Sequence, residues 1–155
     1  MRGNKAVSAP DNAVQAGFVE SAVEQIFQTM YFSRPVYRGP GRVEASATGS
    51  TIGFSGAANG EVRVLVSEDL ARRMTADFLA LDAEEVTRDR VEAMVKEFAN
   101  VACGAIMGAW MPGGDFHFSV PHELSSDGGP AEFEHCFSVS EEAPEFAIGI
   151  ALCGG

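Results

Sequence analysis

The chain has 155 residues, of which 46% are hydrophobic, and this length is enough for one folded domain with a real core. Its 22 acidic and 11 basic residues give a formal net charge of −11. Because nucleic acids and anionic membrane surfaces bind basic proteins, this charge argues against both as partners.

The chain carries no sign of export or membrane insertion. Its N-terminal residues lack the apolar core of a signal peptide, and the longest apolar stretch, 101–111, is too short and too rich in glycine to span a bilayer. We therefore expect a cytoplasmic protein. The three cysteines, Cys103, Cys136 and Cys153, are odd in number and widely spaced, so we expect buried or partly buried thiols and no disulfide framework.

The first half of the chain predicts one long helix followed by three strands. Residues 1–10 are predicted to be a flexible tail and 11–155 a single domain. Apolar residues at helical spacing predict a helix over about 12–31, and the Pro and Gly residues of 33–41 predict a loop. Strands are predicted at 42–49, 51–57 and 60–67, with turn residues between the last two.

The second half repeats this order after a short helix. Ser67 is a suitable N-cap for a helix that ends near Leu81. Thr87 and the run Pro112-Gly113-Gly114 bound a long helix from about 88 to 111, and strands are predicted at 115–121, 132–140 and 145–153. We therefore predict an α+β fold, with two long helices on one face of a largely antiparallel sheet and an internal helix–three-strand duplication.

The predicted long helix 88–111 carries a polar pair, Glu97 and Asn100. Residues three apart lie on one face of a helix, and this face is opposite the apolar stripe formed by Val91, Met94, Val95, Phe98, Val101, Ala102, Ala105, Ile106 and Ala109. A carboxylate can pair with a cation, and a carboxamide can hold a water molecule. Ala93 and Gly104 flank the pair, so a partner could approach closely. From spacing alone, ordinary surface residues remain an alternative interpretation.

Other patterns do not indicate a metal site or a thiol nucleophile in this chain. His117, His122, His135 and Cys136 match no standard zinc spacing, and no group of residues resembles a Mg²⁺ site. Nothing in the sequence supplies an activating arrangement for Cys103. We therefore predict that this chain itself holds no metal and no cofactor.

Several short segments follow one another in a characteristic order. They are 53–60 with the strand after it, 71–79, and Glu97-Phe98-Ala99-Asn100, followed by Gly104 and a strand that ends at Pro121. Through these segments most of the chain resembles the CheX branch of the CheC/FliY/CheX family of chemotaxis phosphatases, and the first helix also looks like the opening helix of the family.

The resemblance implies roles for the polar pair. In the family, the Glu and Asn enter the active site of a phosphorylated response regulator of the CheY type. Glu97 would pair with the regulator's Lys, Asn100 would orient the attacking water, and the Mg²⁺ would belong to the regulator. The first helix has no Glu-x-x-Asn, since Val23 and Phe27 follow Glu20 and Glu24 at the third place, and one site per chain fits CheX.

The resemblance therefore implies a homodimeric phosphatase that hydrolyses the phospho-aspartate of a CheY-type response regulator. Ala93 stands where the family usually has Asp or Ser, four residues before the Glu. This departure leaves a second hypothesis open, in which the protein is a non-catalytic module that binds a response regulator or the flagellar switch.

Overall fold

The structure, a computed structural model, describes residues 12–31, 34–44, 46–124, 132–140 and 143–153. Three α-helices and seven strands lie within these ranges. The helices are α1 (Asn12–Ile26), α2 (Glu68–Leu79) and α3 (Arg88–Trp110). The strands are β1 (Val36–Gly41), β2 (Thr48–Gly56), β3 (Gly60–Val66), β4 (Phe116–Phe118), β5 (His122–Glu123), β6 (Phe133–Ser138) and β7 (Phe146–Leu152).

All strand pairs are antiparallel, in the order β1-β6-β7-β3-β2-β4, and β5 also pairs with β2. The central strands alternate buried and partly buried residues, so their larger apolar side chains face the helices. The predicted α+β class is therefore confirmed. The internal duplication is not established by this strand order and stays a prediction.

The core lies between the helices and the sheet and is built on stacked aromatic rings. Phe27, Phe146 and Phe137 stack in turn, with ring centroids 5.0 and 4.9 Å apart. A smaller apolar cluster on the other side of the sheet contains Phe133 and Val43. These contacts hold α1 and α3 against the sheet and fix which faces they expose.

Most helix and strand boundaries were predicted within two residues, but the predicted position of the first strand was wrong. The strand predicted at 42–49 lies instead at Val36–Gly41, inside the segment predicted as a loop, and strand β2 starts at Thr48. The predicted strand 115–121 is only β4, and β5 follows it as a separate short strand. The first helix ends in a π-helical turn, Phe27–Tyr31. The predicted tail 1–10 lies outside the described residues, and the single-domain boundary at 11–155 stays a prediction.

Candidate functional site

Residues at both ends of helix α3 determine where it begins and where it ends. The Thr87 Oγ1 accepts a hydrogen bond from the backbone N–H of Arg90 at 3.3 Å, which caps the first turn. Arg88 and Glu92, one turn apart, form an ion pair at 3.1 Å. The helix ends at Trp110, just before Pro112. Its length of 23 residues places the polar pair near its middle.

Phe98 fixes the rotation of α3 against the core. Its fully buried ring meets Phe27 and Phe146 edge-on, with centroids 5.9 and 5.8 Å away. Such aromatic contacts are directional, so they resist rotation of the helix about its axis. Since Phe98 points into the core, its neighbours in sequence Glu97 and Asn100 are turned toward solvent.

Glu97 and Asn100 are both exposed, as predicted, and neither side chain has a hydrogen-bond partner among the described residues. The surrounding positions Ala93, Gly104 and Gly108 are exposed too. A Cβ atom added at either glycine would meet nothing within 4 Å. We call these five residues the α3 face. Its carboxylate and its carboxamide have no hydrogen-bond partner in the part of the chain that the structure describes, and both lie on an exposed helix surface.

The buried side of α3 is wider than the predicted stripe. Ala99, Cys103 and Met107 are buried as well. The burial of Cys103 confirms the expectation for its thiol, whereas Ala99 and Met107 were not predicted to lie in the core. Val101 and Ala105, which were placed there, are only partly buried. Helix α3 is in contact with α1, with α2 and with strands β2 and β3, so more than one element packs against it. Gly108 lies four residues after Gly104 and is exposed on the same side of the helix.

Helix α1 does not repeat the polar pair. Val23 and Phe27 occupy the third place after Glu20 and Glu24, and both are buried. The exposed side of α1 lines an open depression of about 370 Å³ with Gly17, Glu20, Ser21, Glu24, Gln25 and Gln28. Within the described residues, the two long helices therefore carry a single Glu-x-x-Asn pair, as predicted.

The histidines and cysteines are not brought together as a metal site. His135 is buried with both ring nitrogens hydrogen-bonded, to Tyr37 and Gln15, while His117 and His122 are exposed on β4 and β5. Cys136 belongs to the small cluster on the other side of the sheet. Within the described ranges, no group of three or more His, Cys, Asp or Glu residues could hold a metal ion.

The buried cysteines are poor nucleophiles. Burial raises the pKa of Cys103 to about 12. The pKa of Cys136 rises to about 11, through burial and then through the charges of Glu132 and Glu134. Both side chains therefore remain thiols near neutral pH. Cys153 is exposed, so the expectation that it is buried or partly buried was wrong.

A cavity of about 590 Å³ lies away from the α3 face, beside the start of α2 and the β6–β7 turn. Polar residues in its wall form hydrogen bonds and an ion pair with each other and with the backbone. Glu145 is buried, accepts hydrogen bonds from the backbone N–H groups of Val139 and Ser140, and pairs with Arg73 at 2.9 Å. This cavity therefore includes an ion pair that ties α2 to the sheet.

None of the helices in the described ranges is both long enough and apolar enough to cross a membrane.

The family model described as chemotaxis phosphatase CheX matches residues 48–140, which include α3 and its polar pair. No curated protein is detectably similar in sequence. The CheX chemotaxis protein of Vibrio vulnificus has a similar structure, with a TM-score of 0.69, 19% identity, and coverage of 94% of this chain and 100% of that one.

Two other solved structures have the same fold. The CheX chemotaxis protein of Desulfovibrio desulfuricans has a TM-score of 0.67 and 17% identity, over 90% of this chain and 99% of that one. A CheX–CheY–BeF3–Mg²⁺ complex from Borrelia burgdorferi has a TM-score of 0.65 and 14% identity, over 93% and 99%. Since the family model spans well over half of its residues, the chain belongs to the CheX family of chemotaxis phosphatases.

Proposed function

We propose that this protein hydrolyses the phospho-aspartate of a CheY-type response regulator, with Asn100 and Glu97 as the residues that enter the regulator's active site. The observation that carries the proposal is the α3 face, on which an exposed carboxylate and an exposed carboxamide have no partner among the described residues. An exposed helix face suits a macromolecular substrate whose own active site receives these side chains.

Asn100 acts by holding water. Its amide can both donate and accept hydrogen bonds, so it places a water oxygen in line with the phosphorus and the leaving carboxylate oxygen. A new P–O bond to water forms as the P–O bond to the aspartate breaks. The products are inorganic phosphate and the regenerated aspartate carboxylate. An acyl phosphate is already activated, so positioning and charge neutralisation provide most of the catalysis.

Glu97 acts as an anchor, since its carboxylate can pair with the Lys of the regulator. The Mg²⁺ that neutralises the phosphoryl group is a component of the regulator, and the Borrelia burgdorferi CheX–CheY–BeF3–Mg²⁺ complex supports this assignment. The preferred partner is the phosphorylated regulator. We also propose that the protein acts in the cytoplasm as a homodimer.

Phosphate release from a phosphorylated CheY-type regulator tests the proposal. We expect the wild-type protein to accelerate release, and Asn100→Ala to lose on the order of 10²-fold or more of this acceleration while it still binds the regulator. Glu97→Ala should weaken both binding and turnover. Glu84→Ala, which removes an exposed carboxylate from the 3-10 turn before α3, is the matched control and should behave as wild type.

A non-catalytic binding module is the second hypothesis, and Ala93 favours it. Helical side chains lean toward the N-terminus, so Glu97 extends over the turn that holds Ala93. Alanine offers no hydrogen bond to orient that carboxylate. A wild-type protein that binds the phosphorylated regulator and leaves its phosphate lifetime unchanged would exclude the phosphatase hypothesis and support the module. Ala93→Ser would then be the first variant to examine for restored turnover.

A further inference from the structure

Helix α3 contains three cations, and two of them are bound to other groups of the chain. Arg88 pairs with Glu92 at 3.1 Å, and the Nη1 of Arg90 donates to the Glu85 carbonyl at 2.8 Å. The third cation, Lys96, forms no ion pair and no hydrogen bond with any residue in the described ranges. Its ammonium group is therefore available to a partner.

Lys96 lies beside the proposed site, one turn before Asn100. When α3 is viewed along its axis, Asn100 lies between Lys96 and Glu97, about 40° from the first and about 60° from the second. Residues four apart have Cβ atoms about 5–6 Å from each other, and helical side chains lean toward the N-terminus. The Asn100 carboxamide therefore extends over the turn that holds Lys96, with a cation on one side of it and an anion on the other.

The environment of Lys96 orders its side chain in part. Lys96 is partly buried, whereas Glu97 and Asn100 are exposed. A partly buried lysine packs its aliphatic stem against its neighbours and keeps its ammonium group in water. Such a side chain has less conformational freedom to lose when a partner binds than a fully exposed lysine has.

Positive charge is needed at this place, because the proposed encounter brings negative groups together. The chain carries a net charge of −11, and Glu97 would enter a site that holds a phosphoryl group. A regulator Lys that pairs with Glu97 has less of its charge left for that group. In phosphoryl transfer, negative charge is spread over the equatorial oxygens of the transition state, and a positioned cation stabilises it.

We infer that Lys96 contacts an oxygen of the phosphoryl group on the docked regulator and supplies positive charge beside the water that Asn100 holds. This inference rests on the proposed docking of the α3 face into the regulator's active site, but not on turnover. Lysine suits this role because its ammonium is a compact charge on a flexible stem, which can follow the phosphoryl group as it leaves the aspartate. The contact forms only with the phosphorylated regulator, so Lys96 contributes to the preference for that form.

The test measures binding of a CheY-type regulator in its free form and in its form with beryllofluoride and Mg²⁺, where beryllofluoride stands in for the phosphoryl group. Lys96→Gln should weaken binding of the beryllofluoride form on the order of 10-fold or more, because it removes a hydrogen bond between charged groups. Its binding to the free regulator should equal that of wild type. Lys96→Arg keeps the charge and should recover most of the affinity. Phosphate release from the phosphorylated regulator should follow the same order.

Arg90→Gln is the matched control, because it removes the same charge from the same helix. Arg90 is ten residues before Asn100, about 15 Å along the axis, which exceeds the screening length of about 8 Å at physiological salt. This variant should therefore bind both forms of the regulator as wild type does. Circular dichroism of each variant checks that the fold is intact, as expected for substitutions of this kind at a helix surface.

The outcomes separate this inference from the proposed hydrolysis. Wild-type affinity of Lys96→Gln for the beryllofluoride form overturns the inference and leaves the hydrolysis intact. Equal losses with both forms of the regulator, or in Lys96→Gln and Arg90→Gln alike, also overturn it, because Lys96 would then act only through the overall charge. If wild type does not accelerate phosphate release, a loss confined to the beryllofluoride form still supports the contact while hydrolysis is excluded. A wild-type protein that does not bind the beryllofluoride form overturns both.

Discussion

At the scale of single residues, Glu97 and Asn100 are exposed, whereas Phe98, which lies between them in the sequence, is buried in the core. Glu97→Ala and Asn100→Ala should change the free energy of unfolding by no more than about 0.5 kcal/mol, as is usual for surface positions. Phe98→Ala should cost about 3–5 kcal/mol, because it empties a buried aromatic site.

Urea unfolding of the three variants measures this contrast. It separates function from stability, because the two site variants should lose turnover without losing the fold. A large destabilisation in either Glu97→Ala or Asn100→Ala would mean that the pair supports the core, and the losses of activity expected above would then lack a specific cause.

The polar pair was predictable because helical periodicity is a local property. Apolar positions around Phe98 identify the buried side of α3, and the opposite side follows from geometry. The burial of Ala99 and Met107 was not predictable in the same way. It depends on the elements that pack against α3, which include α1 and β2 from the first half of the chain and leave no signal within the helix itself.

At the scale of elements, α3 contains two glycines that its own fold does not require. Gly104 and Gly108 lie in the helix interior with ordinary backbone angles, and an added Cβ atom would meet nothing. A glycine in a helix interior costs about 1 kcal/mol relative to alanine. Both are on the exposed side that carries the proposed site, where a missing side chain gives a partner room to approach.

We therefore expect alanine in place of these glycines to raise the stability of the fold and to lower the turnover of the regulator. Gly104→Ala and Gly108→Ala should each raise the free energy of unfolding, by up to about 1 kcal/mol. Gly104→Ala should lower the turnover of the phosphorylated regulator more than Gly108→Ala, because Gly104 is one turn from Asn100 and Gly108 is two turns away. Thermal unfolding and phosphate release measure the two effects. Equal turnover in wild type and both variants would show that the regulator does not approach over these glycines.

The elements that were predicted well are those whose signals lie within a few residues. Helix α3 was placed within one residue at each end, because Thr87 and Pro112 mark its limits. Strand β1 was missed because its sequence contains Pro40 and two glycines, which locally disfavour a strand. Its pairing with β6, about 100 residues later, determines its conformation, and such pairing leaves no local signal.

At the scale of the whole molecule, a side-chain network centred on the buried His135 joins distant parts of the chain. The hydroxyl of Tyr37 on β1 lies 2.9 Å from the Nδ1 of His135 on β6, and the Nε2 of His135 lies 2.6 Å from the Oε1 of Gln15 on α1. This geometry fits a neutral imidazole that donates from Nε2 to Gln15 and accepts at Nδ1 from Tyr37. The network therefore links the edge strand, the sheet and the first helix.

This network predicts acid sensitivity of the fold. Burial lowers the pKa of His135 in the folded protein below the ordinary value of about 6.5, and the charge of Glu134 opposes this only in part. The unfolded chain then binds more protons than the folded one in the window between the two pKa values. Stability should therefore be fully present above about pH 6.5 and fall as the pH drops toward the folded pKa, by up to about 1.4 kcal/mol per pH unit.

Urea unfolding at a series of pH values between 7.5 and 5, in roughly half-unit steps, measures this slope for wild type and for His135→Asn. The variant should be less stable at neutral pH, because it loses packing and a hydrogen bond, but its stability should depend less on pH, since the group that titrates has gone. Carboxylates contribute to acid unfolding in both proteins, so the difference between the two slopes isolates His135. NMR titration of the His135 ring in wild type provides a direct check that does not require the variant to fold. An imidazole that takes up its proton at or above pH 6.5 would contradict the account, because it would mean that the network stabilises the charged ring.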